Sequence, residues 1–365
     1  MGRIRDFRRE DSARVADLYV RAYRDSDASA PGSLRAYFER IYFENPWTSL
    51  EQPCHVYENE TGEIRGFVGL FPRPMTFEGR PIRVAVLSTI MVDPSERGRS
   101  IGLRLMQHAF AGPQDLTFTD GANAACRKLW LAAGGDLCVL LSCNWMRSLR
   151  PGAELVARVA ARASLRPFAA ALRPLAASFD ALAARVPVGG ARLPVVRASG
   201  DPADVSDMLA CRTSLATRPA LAPVYDPASF RWLLDATAEA NLRGRLERTL
   251  VRGDDGRVLG WYVYFSNPGG LCDVMQLGGD PATIDQVLLH LFRHARDRGG
   301  VVLRGRLEPA FVSQLEHLDC RFHFPLTVLG HARDAAIAQA LQAGNTALSR
   351  LDGEWWMRFS DGPWS

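Results

Sequence analysis

Lysine is almost missing from this chain of 365 residues: Lys128 is the single one among 44 basic side chains, and the rest are arginine. The skew runs through the whole chain, so it reads as coding bias, not as a device for holding phosphate. The net charge is only +4. A nucleic-acid protein concentrates far more charge on one face, so no nucleic-acid partner is expected. No run of 18 uninterrupted apolar residues occurs, so no membrane span is expected. Cys-x-x-Cys pairs are absent too. The seven cysteines (Cys54, Cys126, Cys138, Cys143, Cys211, Cys272 and Cys320) are scattered and odd in number. A zinc cluster or disulfide framework is therefore not expected, nor any other metal, and reduced thiols in a cytosol fit better. Met1-Gly2-Arg3-Ile4-Arg5-Asp6 runs straight into charge with no apolar leader, and Asp6 does not suit a myristoylation signal. The expected location is the cytoplasm.

Hydrophobic residues make up 47% and charged residues 23%, the balance of a globular protein. The length exceeds what one core usually supports, which predicts two domains. Patterning predicts a strand at 3–5, a helix capped by Asp11-Ser12, a helix over about 33–43, and strands at 55–57, 65–71 and 83–92. A helix over about 98–111, a strand at 116–119, a helix over 122–133 and a final apolar strand at 136–143 follow. Hairpins followed by strand–helix units imply an α/β (α+β) fold, a mixed central sheet with flanking helices.

Residues 149–193 form an Ala-, Arg- and Pro-rich helical linker, whose prolines are expected to break any long helix. They suit helices that join or pack against the domains, with an interfacial membrane helix as the alternative. From 194 to 365 the order of elements repeats that of 1–148. The second half includes helices at 201–212, 226–240 and 280–298 and a hairpin over 248–265, with no residue-level repeat.

Chemistry concentrates where the strand Leu87–Val92 runs through Asp93-Pro94 into Arg97-Gly98-Arg99-Ser100-Ile101-Gly102 and opens an amphipathic helix. Such a helix start offers unpaired amides and the positive end of its dipole. Glycine lets backbone approach a ligand closely. The combination suits a diphosphate. The Gly-Lys-Ser/Thr ending of a Walker loop and the Gly-x-Gly-x-x-Gly of a dinucleotide fold are both absent.

This segment resembles the GNAT superfamily of acyl-CoA N-acyltransferases, whose signature is Arg/Gln-x-x-Gly-x-Gly/Ala. Ser100 stands where that family usually has glycine; at a positive φ it would cost about 1 kcal/mol. Asn123 through Gly135 resembles the family's next block, with Trp130 in the place of its usual tyrosine. An indole cannot supply the proton that this tyrosine often gives to the departing thiolate. The resemblance covers about residues 3–147 and implies two such domains in tandem, the second degenerate and lacking the arginine-bearing loop. It implies acetyl-CoA as co-substrate and an amine-bearing acceptor between the halves, with no statement about the oligomer.

The implied coenzyme contacts are the backbone of Ile90, Met91 and Val92, the loop Arg97, Gly98, Arg99, Ser100, Ile101 and Gly102, and Asn123 and Trp130. The matching strand offers Ser88, not a glutamate. Asp120, at the end of the next strand, is the nearest carboxylate for a general base, or else a helix cap. His108 reads as a helix-surface histidine, and Cys143 has no base beside it in sequence. Phe230-Arg231-Trp232, Trp261-Tyr262 and Trp355-Trp356 read as aromatic surface or as core. Two further functions fit the same residues: a non-catalytic acyl-CoA-binding regulator, and a transferase acting on cell-envelope precursors.

Overall fold

The computed structural model describes residues 2–24, 26, 28–48, 52–183, 193–215, 219–325 and 327–357. The first part of the chain forms β1 (Arg3–Asp6), α1 (Ser12–Arg24), α2 (Gly32–Phe43), β2 (His55–Glu58), β3 (Ile64–Pro72), β4 (Met75–Phe77), β5 (Arg80–Ile82) and β6 (Val84–Val92). Then come α3 (Ile101–Phe110), β7 (Leu116–Ala122), α4 (Ala124–Ala132), β8 (Asp136–Leu137), α5 (Val139–Ser142) and β9 (Asn144–Ser148). The expected linker contains α6 (Pro151–Ala160) and α7 (Arg166–Ala183). After it lie β10 (Ala198–Pro202), α8 (Val205–Leu215), β11 (Leu221–Pro223), α9 (Pro227–Ala238), β12 (Arg245–Gly253), β13 (Val258–Ser266) and β14 (Leu271–Gly279). The described chain ends with α10 (Ile284–Asp297), β15 (Val302–Arg306), α11 (Val312–His317), β16 (Arg321–His323), β17 (Thr327–Ala332) and α12 (Ala335–Gln342).

The described residues of 1–142, 218–240 and 325–365 make one compact unit, and those of 143–217 and 241–324 another. This differs from the linear division into 1–148, 149–193 and 194–365. The reason is visible in the strand pairing. β17 comes from the far end of the chain but pairs antiparallel with β7 in the first unit. β9, which continues directly from that unit, pairs antiparallel with β15 in the second. The expected final strand at 136–143 is likewise interrupted: Cys138–Ser142 turns, with Ser142 Oγ bonded to the Cys138 carbonyl at 2.8 Å and accepting from the Val328 amide at 2.9 Å.

In the first unit the sheet order is β1-β2-β3-β6-β7-β17-β8, with a small β11-β4-β5 sheet beside it. Only β6 and β7 run parallel within the large sheet, so it is mixed, as the patterning implies. Helices cover both faces, because successive residues of β3 point to opposite sides. A Cβ on Gly66 would meet Leu105 of α3 at 2.9 Å, and one on Gly69 would run into the Tyr42 hydroxyl of α2. Phe67, on the α2 side, packs edge-on against Phe7, Phe38 and Tyr42.

The second unit has the order β10-β12-β13-β14-β15-β9-β16. Helix α10 buries Ile284, Val287, Leu288, Leu291, Phe292 and Ala295 in one core with Trp145, Tyr262, Tyr264 and Leu303. The helix expected from 280 begins at Ile284, and Asp280-Pro281 forms a turn before it, closed by Thr283 N on the Asp280 carbonyl. Of the aromatic residues read as surface or core, Phe230, Trp261, Tyr262, Trp355 and Trp356 are buried, and Trp232 is half-buried. The linker's prolines also do less than expected, since Pro174 sits inside α7. Residues 184–192 of that linker and Leu326 lie outside the described residues.

Candidate active site

The β6–β7 ladder lasts only from Val84↔Leu116 to Val86↔Phe118. Past Val86 the strands part: β6 stays with β3 as far as Val92, and β7 stays with β17 as far as Ala122. A cavity of about 310 Å³ lies in the gap. One wall is Leu87, Ser88, Ile90, Met91 and Val92; the other comes from Gly121, Ala122, Asn123, Ala125, Cys126 and Leu129. Ala22 and Tyr23 of α1 and Glu354 complete it.

At the outer end of β6, Asp93 fixes the loop that follows. Its buried carboxylate takes the Ser95 hydroxyl at 2.6 Å, Arg21 Nε at 2.8 Å and Arg65 at 3.0 Å. Burial pushes this carboxyl up, but the Ser95, Arg21 and Arg65 hydrogen bonds outweigh it and hold it at about 2. Beyond Asp93, Gly98 adopts φ +86 and Ser100 adopts φ 56, ψ 18. Ser100 thus stands in the left-handed region, directly before α3, with no side-chain cap bond. Among the described residues no backbone hydrogen bond is made by the amides of Gly98, Ser100, Ile101, Gly102 or Leu103. Bare amides at a helix start are the anion-binding arrangement the sequence implies. Gly102 serves packing as well: a Cβ there would lie 3.3 Å from Leu129 Cδ2 of α4. Arg99 is exposed and bonded to Glu96 at 2.8 Å, and Arg97 is exposed.

The structure brings Ser88, Ile90, Met91, Val92 and Asn123 together around one cavity, with the Arg97–Gly102 loop at the end of the same strand. Asn123 caps α4, its side chain accepting from the Cys126 amide at 2.9 Å. Ser88 Oγ lies 2.8 Å from the Tyr42 hydroxyl, whose phenol burial keeps protonated. Tyr23 donates to the Ile90 carbonyl at 2.9 Å.

Two expected residues stand elsewhere. Trp130 does not reach the cavity: it is fully buried against Phe110, and its indole N–H donates to the Gly330 carbonyl at 3.4 Å. Asp120 is buried and off the cavity wall, and its Oδ1 accepts the Glu354 amide at 2.7 Å.

Glu354 is the group that sequence reasoning missed. It is half-buried on the cavity wall. Its Oε1 accepts from the Gly121 amide at 3.2 Å and from the Thr119 hydroxyl. The preceding Asp352 anchors the segment through a fully buried pair with Arg73 at 2.7 Å. Arg73 lies 4.4 Å over the Trp47 ring and 4.9 Å over that of Tyr225. Burial, and secondarily Glu354, push the cavity-lining Cys126 thiol up to about 12, which keeps it from acting as a thiolate nucleophile.

Residues 3–115 match the family model described as an acetyltransferase (GNAT) domain. No curated protein sequence matches the chain. Solved structures share its fold. One is a conserved protein of unknown function from Enterococcus faecalis, described as a probable N-acyltransferase (10% identity, TM-score 0.58), with 91% of this chain and 72% of that one covered. Another is a GCN5-related N-acetyltransferase from Anabaena variabilis (11% identity, TM-score 0.55, 92% and 73% covered). A third is a GCN5-related N-acetyltransferase from Kribbella flavida (12% identity, TM-score 0.53, 92% and 73% covered).

Proposed function

We propose that the chain is an acetyl-CoA-dependent N-acyltransferase that moves an acetyl group onto an amine. The observation that carries this reading is the parting of β6 and β7 above a cavity that holds a carboxylate, beside a loop of bare amides. The amides of Gly98, Ser100, Ile101, Gly102 and Leu103 take the diphosphate, and the freed edge of β6 at Ile90–Val92 takes the pantetheine arm. A cavity of about 310 Å³ must receive the acyl group and the attacking amine together. That size suits a two-carbon group better than a long chain.

Glu354 is the proposed general base. It takes a proton as the amine nitrogen bonds to the thioester carbonyl carbon. The carbon–sulfur bond then breaks, and the electron pair leaves on sulfur. Tyr23, on the cavity wall, is the proposed source of the proton that neutralises that thiolate. A backbone N–H of the β6 edge stabilises the oxyanion.

The buried position of Trp130 favours the second reading, a non-catalytic acyl-CoA binder, because it supplies no acid at the family's usual place. Thiol release from acetyl-CoA in the presence of a panel of amines separates the two. Release above the hydrolysis background, lost in Glu354→Gln, supports the enzyme. Tight acetyl-CoA binding with no release by any amine sinks it.

A further inference from the structure

In the second unit α6 and α7 stand as a helical pair with large apolar side chains exposed along one face. Phe168, Leu172, Leu175, Phe179 and Leu182 recur along α7, and each is between 39% and 68% exposed. At 100° per residue these five fall within an arc of about 80°. Leu155, on α6, is exposed as well. Scattered exposed leucines are ordinary, but a continuous stripe of large apolar side chains marks an interaction surface.

The charge of the same segment is one-sided. Residues 150–192 contain seven arginines and two carboxylates, Glu154 and Asp180. Both carboxylates are buried and used internally. Asp180 accepts the amides of Gly152 at 2.6 Å and Ala153 at 3.0 Å, which fixes the start of α6 against α7. Glu154 takes Arg158 and Arg321. Arg158 and Arg162, on the side of the α6 segment that carries Leu155, are exposed, whereas Arg173 lies about 140° from the centre of the α7 stripe and lines a cavity with Ala176 and Asp180. The pair therefore presents an apolar stripe with exposed arginines and keeps both its carboxylates buried.

We propose that α6 and α7 dock on an anionic lipid surface, with the Phe168–Leu182 stripe entering the headgroup boundary and the arginines meeting lipid phosphates. This is the architecture of an interfacial amphipathic helix, which lies in the membrane plane without crossing it. No helix among the described residues is long and apolar enough to span a membrane. A second copy of the chain fits this face less well, because self-association would set arginine against arginine. A neutral surface would leave those charges without partners.

The test is co-sedimentation of the full chain with vesicles of phosphatidylcholine alone or of phosphatidylcholine with phosphatidylglycerol. The expected result is partition onto the phosphatidylglycerol vesicles at least about tenfold stronger than onto the neutral ones, weakened by salt. The double change Leu175→Glu with Phe179→Glu removes it, while acetyl-CoA titration and the thermal transition stay as in the parent. The change Arg162→Glu keeps the apolar stripe and lowers only the preference for anionic vesicles. Equal partition onto both vesicle types, partition onto neither, or retention by the Leu175/Phe179 variant overturns the proposal. So does a fall in the mass seen by light scattering of that variant without any vesicle binding by the parent, which assigns the stripe to a second copy.

Discussion

Asp120 Oδ1 accepts the backbone amide of Glu354 at 2.7 Å across 234 positions of sequence. The carboxylate nearer in sequence to the family motif is thus a support, and the one it supports faces the cavity. Replacing Glu354 by Gln is expected to lower kcat by about 10²–10⁴ while acetyl-CoA affinity is kept. Asp120→Asn retains an oxygen that accepts from Glu354 and is expected to keep most of kcat, whereas Asp120→Leu falls with Glu354→Gln. Steady-state rates for the three variants check this. An inert Asp120→Asn would return the base to Asp120.

Ser100 holds φ 56 at a position where a Cβ is unfavourable. Ser100→Gly is expected to stabilise the protein by about 1 kcal/mol and to leave acetyl-CoA binding equal or tighter. Gly102→Leu does the opposite, because its side chain would meet Leu129 at the α3–α4 contact. Thermal melts and titration calorimetry read both. Unchanged uptake by Gly102→Leu and by Gly98→Val would remove the loop from the binding site.

Arg73 and Asp352 form an ion pair with both side chains fully excluded from solvent. Arg73→Met leaves that carboxylate without its counter-charge and is expected to destabilise the fold by about 3–5 kcal/mol. Asp352→Asn in the same chain is expected to restore part of the loss. Activity should fall in Arg73→Met before unfolding does, because Asp352 anchors the segment that carries Glu354. Urea unfolding beside rate measurements tests the order.

His55 and His294 sit at about 4, well below the ordinary 6.5. Burial is the main cause in each, helped by His108 for the first and by Arg298 and His290 for the second. The unfolded chain binds these protons near pH 6.5, and the folded chain resists them until about pH 4. Stability is therefore full above pH 6.5 and declines as pH falls toward 4. Melting temperatures between pH 7.5 and 4.5 are expected to fall, and less steeply in His55→Gln. A flat profile contradicts this.

The loop before α3 was legible because its chemistry is local. Glycine, a strand end and a helix start lie within ten residues, and their amides are bare whatever the rest of the chain does. The mixed sheet was legible for the same reason, through the alternation of strands and helices. Glu354 was not, because contacts distant in sequence bring it to Gly121, among them the Asp120 bond to its amide and the Arg73–Asp352 pair, and none has a local signature. Trp130 misled for a different reason. It occupies the motif's place in sequence, but an indole there turns inward to Gly330 and fills core.

The return of β17 to the first sheet makes the order of synthesis matter. A nascent chain that has emerged only as far as α7 already contains the Arg97–Gly102 loop and Asn123, yet lacks both the strand that flanks β7 and the carboxylate at 354. Translation must run more than two hundred residues past the loop before the cavity can have its second flank and its base. A fragment cut after β9 is accordingly expected to expose the bare edge of β7 and to aggregate rather than act as a small transferase.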